Sequence, residues 1–176
     1  MKFIETALSG AFIVEPEPIH DERGFFARLF DAGEFSDRGL EASFPQWSVS
    51  YNRRAGTLRG LHYQAAPAAE VKLVRCTAGA IYDVIVDLRP DSPSYRRSVA
   101  VELSAENRRI LYVPEGFAHG FQTLAEGCEV GYFISAEYRA ELQRGVRWDD
   151  PAFGIEWPEA ERTISARDAA FPDFTP

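Results

Sequence analysis

The run "AIYDVIVDL", residues 80–88, constrains the fold more than any other stretch. It alternates cleanly: Ile81, Asp83, Ile85 and Asp87 fall on one face of an extended strand, and Tyr82, Val84, Val86 and Leu88 on the other. The runs "EVKLVRC", "SVAVELS", "RILYVP" and "EVGYFIS" read as further strands. Between them stand turn signals: "TAGA", "RPDSPSY", "SAENRR", "PEGFAHG" and "AEGC". Helical pattern is weak and confined to "DAGEFSDRG" and "ISARDAA". From Tyr138 onward the chain is richer in loops, and "WDDPAFGIEWPE" reads as ordered irregular chain.

The 176 residues fit one domain, spanning residues 1–176, with no repeat, linker or low-complexity tract. Many short antiparallel strands in one domain leave edges to protect. A jelly-roll or cupin-like barrel (a double-stranded β-helix) protects them and keeps a ligand-sized mouth. The predicted class is therefore all-β, with short peripheral helices.

The formal net charge of −8 speaks against a nucleic-acid partner, which needs a basic surface. It leaves room for an anionic ligand held by a few local arginines. Cys76 and Cys128 fit no metal-ligand or CxxC spacing, which suits a reduced, cytoplasmic protein. The N-terminal "MKFIETALSGAFIVEPEP" is not a signal peptide, and no run approaches the ~18 apolar residues of a membrane helix.

Several polar side chains sit where strands are expected. His62 lies in "GTLRGLHYQ" with Gln64 on its own face. Strict alternation puts Arg59 and Tyr63 on the opposite face, unless Gly60 bends the strand. His119, between Gly116 and Gly120, lies where proline and glycine predict a tight turn leading into a strand, and reads either as a turn histidine bonded to backbone or as a functional one; His20 lies in a polar loop. Lys72 falls on a half-buried strand, where an ammonium needs an anion or a snorkelling exit. Tyr132 shares a face with Val130 and Ile134, and Asp168 ends "ISARD". Metal-binding cupins offer two histidines one residue apart, then a glutamate and a later histidine. "LHYQ" supplies one, so the spacing asks for no metal, although a mixed histidine–carboxylate site stays open. No GxSxG, GxGxxG or P-loop is present. A histidine, a tyrosine, a lysine and arginines on barrel strands suit proton transfer beside a carbonyl.

The ordered blocks "DERGFFARLF", "GTLRGLHYQ", "KLVRC", "GAIYDVIVDLR", "SPSY", "VELSAENRRILYVPEGFAHGFQTL", "VRWDDPAFGIEWP" and "ISARD" resemble the dTDP-4-dehydrorhamnose 3,5-epimerase family over nearly the whole length. The resemblance implies a homodimer of jelly-roll barrels without metal or organic cofactor. It also implies a nucleoside-diphosphate 4-keto-6-deoxyhexose as substrate, inverted at C3, C5 or both. His62 matches the family's general base, Asp168 the carboxylate that orients it, and Tyr132 the acid on the other face of the sugar. Lys72 and His119 match positions near the ketone. Arg23 and Arg59 match positions that grip the diphosphate, and Gln46 a nucleotide-side position. Phe26, Tyr138 and Arg167 complete the expected substrate-binding set. The chain departs from the family pattern at Arg28, Ser48, Gln143 and Arg167, which bears on the nucleotide base more than on the reaction. A metal-dependent cupin oxygenase and a non-catalytic sugar-nucleotide-binding cupin are the competing readings.

Overall fold

The computed structural model describes residues 1–175. The strands are, in chain order, β1 (Lys2–Glu5), β2 (Phe12–Glu15), β3 (Ile19–Asp21), β4 (Gly24–Phe26), β5 (Gln46–Asn52), β6 (Thr57–Gln64) and β7 (Lys72–Ala78). They continue with β8 (Ala80–Asp87), β9 (Ser98–Ser104), β10 (Ile110–Val113), β11 (Phe117–Thr123), β12 (Cys128–Ile134), β13 (Gln143–Gly145) and β14 (Thr163–Ile164). The helices are α1 (Ala32–Ser36) and α2 (Ala166–Ala169), inside the two stretches read as helical. No helix among the described residues is long and apolar enough to cross a membrane.

Two sheets face each other in a cupin-type jelly roll. One runs β1-β2-β10-β7-β12-β5 and the other β13-β6-β11-β8-β9, with β14 added in parallel to β6. β3 and β4 form a separate hairpin. The inward side chains Val74, Cys76, Leu111 and Val130 of the first sheet meet Ile81, Ile85, Leu103, Phe117 and Phe121 of the second, and bury the main core.

The alternation of "AIYDVIVDL" holds, and both of its faces are buried. Ile81 and Ile85 point into the barrel, while Val84 and Val86 pack outward beneath Phe153 and Trp157 of the late loops. That outer cover explains why the strand shows no solvent face. α1, capped by Asp31, which accepts from Gly33 N–H and Glu34 N–H, packs Phe35 against the outer side of the first sheet.

One expectation needs correcting, and one open alternative is decided. "PEGFAHG" is a turn only at its start, and from Phe117 it is strand β11, buried throughout. β11 lies between β6 and β8, so His119 is a central-strand residue rather than a turn histidine. Lys72 starts β7, between β10 and β12, and its side chain is buried, so of its two readings the structure takes the one that needs an anion and not the snorkelling edge lysine.

Candidate active site

A bulge sets the site. In the β6–β11 ladder His62 faces His119 and Arg59 faces Phe121, so Gly60 and Leu61 together oppose the single residue Gly120. The extra residue resets the parity of β6. Arg59 and His62 therefore both point inward, and Leu61 packs on the outer side. Only glycine fits at position 60. Its φ is +114°, and an added Cβ would lie 2.6 Å from Gly120 Cα.

At the mouth of the barrel lies a cavity of about 270 Å³, bordered by Gln46, Arg59, His62, Lys72, His119, Tyr132 and Tyr138. His62 comes from the second sheet. Its Nε2 is 2.8 Å from Asp168 Oδ1, while Gly60 N–H donates to Oδ2 at 3.1 Å. α2 carries Asp168 to this place, its first turn closed by the Ser165 hydroxyl accepting from Asp168 N–H at 3.1 Å. Burial pushes the Asp168 carboxyl up. The His62 hydrogen bond and charge and the donors at Gly60 and Ser165 outweigh it and hold the group below its ordinary value. An ionised Asp168 accepts a hydrogen bond from Nε2–H, which keeps the proton on that nitrogen and leaves Nδ1 as the one with a free lone pair. Phe171 stacks edge-on against the imidazole, ring centroids 5.7 Å apart.

Tyr132 enters from β12 in the facing sheet. Burial raises its phenol well above the ordinary tyrosine value, against the Ser50 hydroxyl, which lies 3.2 Å from Tyr132 Oη. Such a phenol is held neutral and proton-bearing. On the cavity wall, His119 Nε2 lies 2.7 Å from Asp83 Oδ1, with both residues buried. Burial raises the Asp83 carboxyl, opposed by His119 and by the Lys72 charge, and its Oδ2 has no hydrogen-bond partner. Lys72 Nζ pairs with Glu70 Oε1 at 2.9 Å, the two side chains 11% and 12% exposed.

The rim is held by Gln143. Its Oε1 accepts from Tyr138 Oη at 2.8 Å and from Arg167 Nη2 at 2.7 Å. Ser48 pairs with Tyr132 in the β5–β12 ladder. Arg28 is bound to Asp31 at 2.7 Å, on the α1 cap. Arg23 and Phe26 do not reach this cavity in their own chain. Both lie on the β3–β4 hairpin, where Arg23 is 82% exposed and pairs with Asp21.

Sequence reading missed Asp83, Glu70, Ser50 and Asn52. Two had signals: Asp83 is a carboxylate on the apolar face of "AIYDVIVDL", and Glu70 precedes Lys72 by two residues, hence on its face. Ser50 and Asn52 had none. Among the described residues, no three histidine, cysteine, aspartate or glutamate side chains are grouped as metal ligands.

The arrangement offers a base with an ionised partner, a neutral phenol from the facing sheet, and two cation-capable groups between them. Known proteins of one family resemble this chain over nearly its whole length. Residues 5–175 match the family model described as dTDP-4-dehydrorhamnose 3,5-epimerase. A protein of that name from Methanothermobacter thermautotrophicus is 48% identical over 157 residues, covering 89% of this chain and 84% of the relative. The crystal structure of a dTDP-4-dehydrorhamnose 3,5-epimerase from Bacillus anthracis, with TDP and PPi bound, superposes at TM-score 0.94 with 43% identity, covering 98% of this chain and 99% of that one. A dTDP-6-deoxy-D-glucose-3,5-epimerase from Legionella pneumophila, in complex with dTDP-4-keto-L-rhamnose, superposes at 0.89 with 34% identity, covering 99% of both chains.

Proposed function

The chain belongs to the dTDP-4-dehydrorhamnose 3,5-epimerase family, a family of isomerases, and on that premise we propose that it converts dTDP-4-dehydro-6-deoxyglucose to dTDP-4-dehydrorhamnose. The 4-ketone acidifies the protons at C3 and C5. His62 Nδ1 removes one of them from one face of the ring. The enolate that forms carries its charge on O4, where Lys72 and His119 stabilise it. Tyr132 returns a proton to the other face, which inverts the carbon. His62 has then gained one proton and Tyr132 lost one, and exchange with water resets both before the second carbon reacts.

One observation carries this reading: His62 and Tyr132 reach one cavity from facing sheets. Inversion needs two proton-handling groups across a ring, and a single base cannot serve both faces. The deciding experiment is an NMR deuterium wash-in on the dTDP-linked 4-keto-6-deoxy sugar in D₂O, read separately at C3 and C5. Incorporation at both carbons is expected, and no incorporation at either overturns the reading. Arg59 supplies charge for the diphosphate, and Tyr138, Gln46 and Arg167 border the nucleotide side.

The active form is a homodimer. β5 is an edge strand whose outward residues Trp47, Val49 and Tyr51 are 73%, 64% and 60% exposed. The β3–β4 hairpin exposes Ile19 and Phe26 as well. Apolar area of this kind on an open edge is what a second copy covers. The dimer also gives Arg23 and Phe26 a role, because the hairpin of one protomer can complete the cavity of its partner. Two buried free thiols, Cys76 and Cys128, fit a reducing cytoplasm.

A further inference from the structure

Arg59 is held from one side only. Its Nε–H donates to Asn52 Oδ1 at 2.7 Å. Among the described residues, its two terminal nitrogens have no protein partner, and the side chain opens to the cavity. Asn52 itself is 2% exposed, on the last position of β5 facing Cys128 in the β12 ladder. Its Nδ2 donates to the Cys128 carbonyl at 3.2 Å. That bond decides which way the amide points, since a carbonyl accepts only from the NH₂ end. The amide oxygen is therefore fixed toward Arg59.

A guanidinium engaged at Nε presents Nη1 and Nη2 as a planar fork, which matches two oxygens of a phosphate. An arginine side chain free to rotate loses this alignment and must be ordered at the moment of binding. We infer that Asn52 is a positioning residue that aims the Arg59 fork at the diphosphate of the nucleotide sugar. The inference rests on the nucleotide-sugar reading for the identity of the anion. Asn52 touches no reacting atom, and its effect falls on binding.

The test is the affinity of the dimeric protein for dTDP and for inorganic pyrophosphate, by titration calorimetry. Asn52→Ala is expected to bind dTDP about 10-fold or more weakly, the size of one lost hydrogen bond to a charged group. Deuterium wash-in at saturating sugar nucleotide stays within about 3-fold of the parent, so KM moves and kcat does not. In an Arg59→Ala background, Asn52→Ala adds no further loss, because the two residues act as one unit. Unchanged dTDP affinity in Asn52→Ala overturns the inference. So does an equal loss in both backgrounds, which marks a general structural role. If Asn52→Ala does not fold, the parent decides: the Arg59 Nε–H resonance, identified by its loss in Arg59→Lys, is expected to exchange slowly with water before ligand is added. Fast exchange overturns the inference. dTDP binding needs no turnover, so a parent that binds dTDP but exchanges no deuterium sinks the epimerase reading and leaves this one standing.

Discussion

Asp168 stands 106 residues after His62 in the chain and 2.8 Å from its Nε2. Its other oxygen accepts from the Gly60 N–H of the same strand that carries His62. One carboxylate thus clamps the imidazole and the bulge that aims it.

On the proposed mechanism, removing either member of this pair is expected to slow the first proton transfer. His62→Ala is expected to lower deuterium wash-in at both carbons by about 10²–10⁴-fold, the usual worth of a positioned base. Asp168→Asn keeps the shape and loses the charge, and should fall between the parent and His62→Ala. Exchange in His62→Ala at the parental rate ends the proposed mechanism.

Tyr132→Phe separates exchange from inversion. On the proposed mechanism His62 still removes and returns a proton on its own face, so label is expected to continue entering the sugar. Inverted product falls by about 10²-fold or more, because the donor across the ring is gone. Parallel NMR readings of label and configuration check this; equal, mild effects on both would take Tyr132 out of the acid role.

Gly60→Ala tests the bulge. The new methyl meets Gly120 Cα at 2.6 Å and His119 carbonyl oxygen at 2.7 Å, at a φ that L side chains rarely adopt. A loss of at least about 2 kcal/mol in denaturant stability is expected, with Arg59 and His62 no longer on one face. Parental stability and activity together would show that the ladder shifts freely here.

Mixing tests the dimer. Arg23→Ala and His62→Ala are each expected to be impaired alone. In a mixed dimer, one cavity has an intact His62 and receives an intact Arg23 from its partner. Unfolding and refolding the two variants together should recover activity at one site of each mixed dimer. No recovery at all would place Arg23 outside the partner's cavity.

Asp87 is expected to contribute to acid stability. Burial pushes its carboxyl up, but Arg89, Ser92, Ser94 and the Arg89 N–H outweigh it and bring it from 3.8 to about 2. The depressed value means stabilisation that is complete above the ordinary carboxylate range and is lost as pH falls from about 4 to about 2. Asp87→Asn should cost about 1–3 kcal/mol at neutral pH. The gap between parent and variant in thermal melts should close as pH approaches 2. A gap independent of pH would remove the charge from the explanation.

Much of this was legible in the chain itself. The alternation of "AIYDVIVDL" located β8, and the turn clusters delimited its neighbours. The parity conflict between Arg59 and His62 pointed to a bend at Gly60, which the bulge supplies. His119 stayed open between turn and strand because proline and glycine stand close to it; the strand begins at Phe117, where tertiary pairing with β6 and β8 overrides local turn chemistry. β1 and β2 carry too short a pattern, four residues each, to stand out. Asn52 and Ser50 were invisible because their importance is a matter of which partner lies across the barrel, and spacing along one strand holds no such information.

β8 has Asp83 and Asp87 on the same inward side, four residues apart, or about 13 Å along an extended chain. One end backs His119 and the other anchors the segment through Arg89, Ser92 and Ser94. Paired along both flanks, the strand works as a fixed ruler between chemistry and surface. The rest of the connection between β8 and β9 is therefore free to diverge in sequence without moving the imidazole of His119, provided Arg89, Ser92 and Ser94 keep their hold on the carboxylate at position 87.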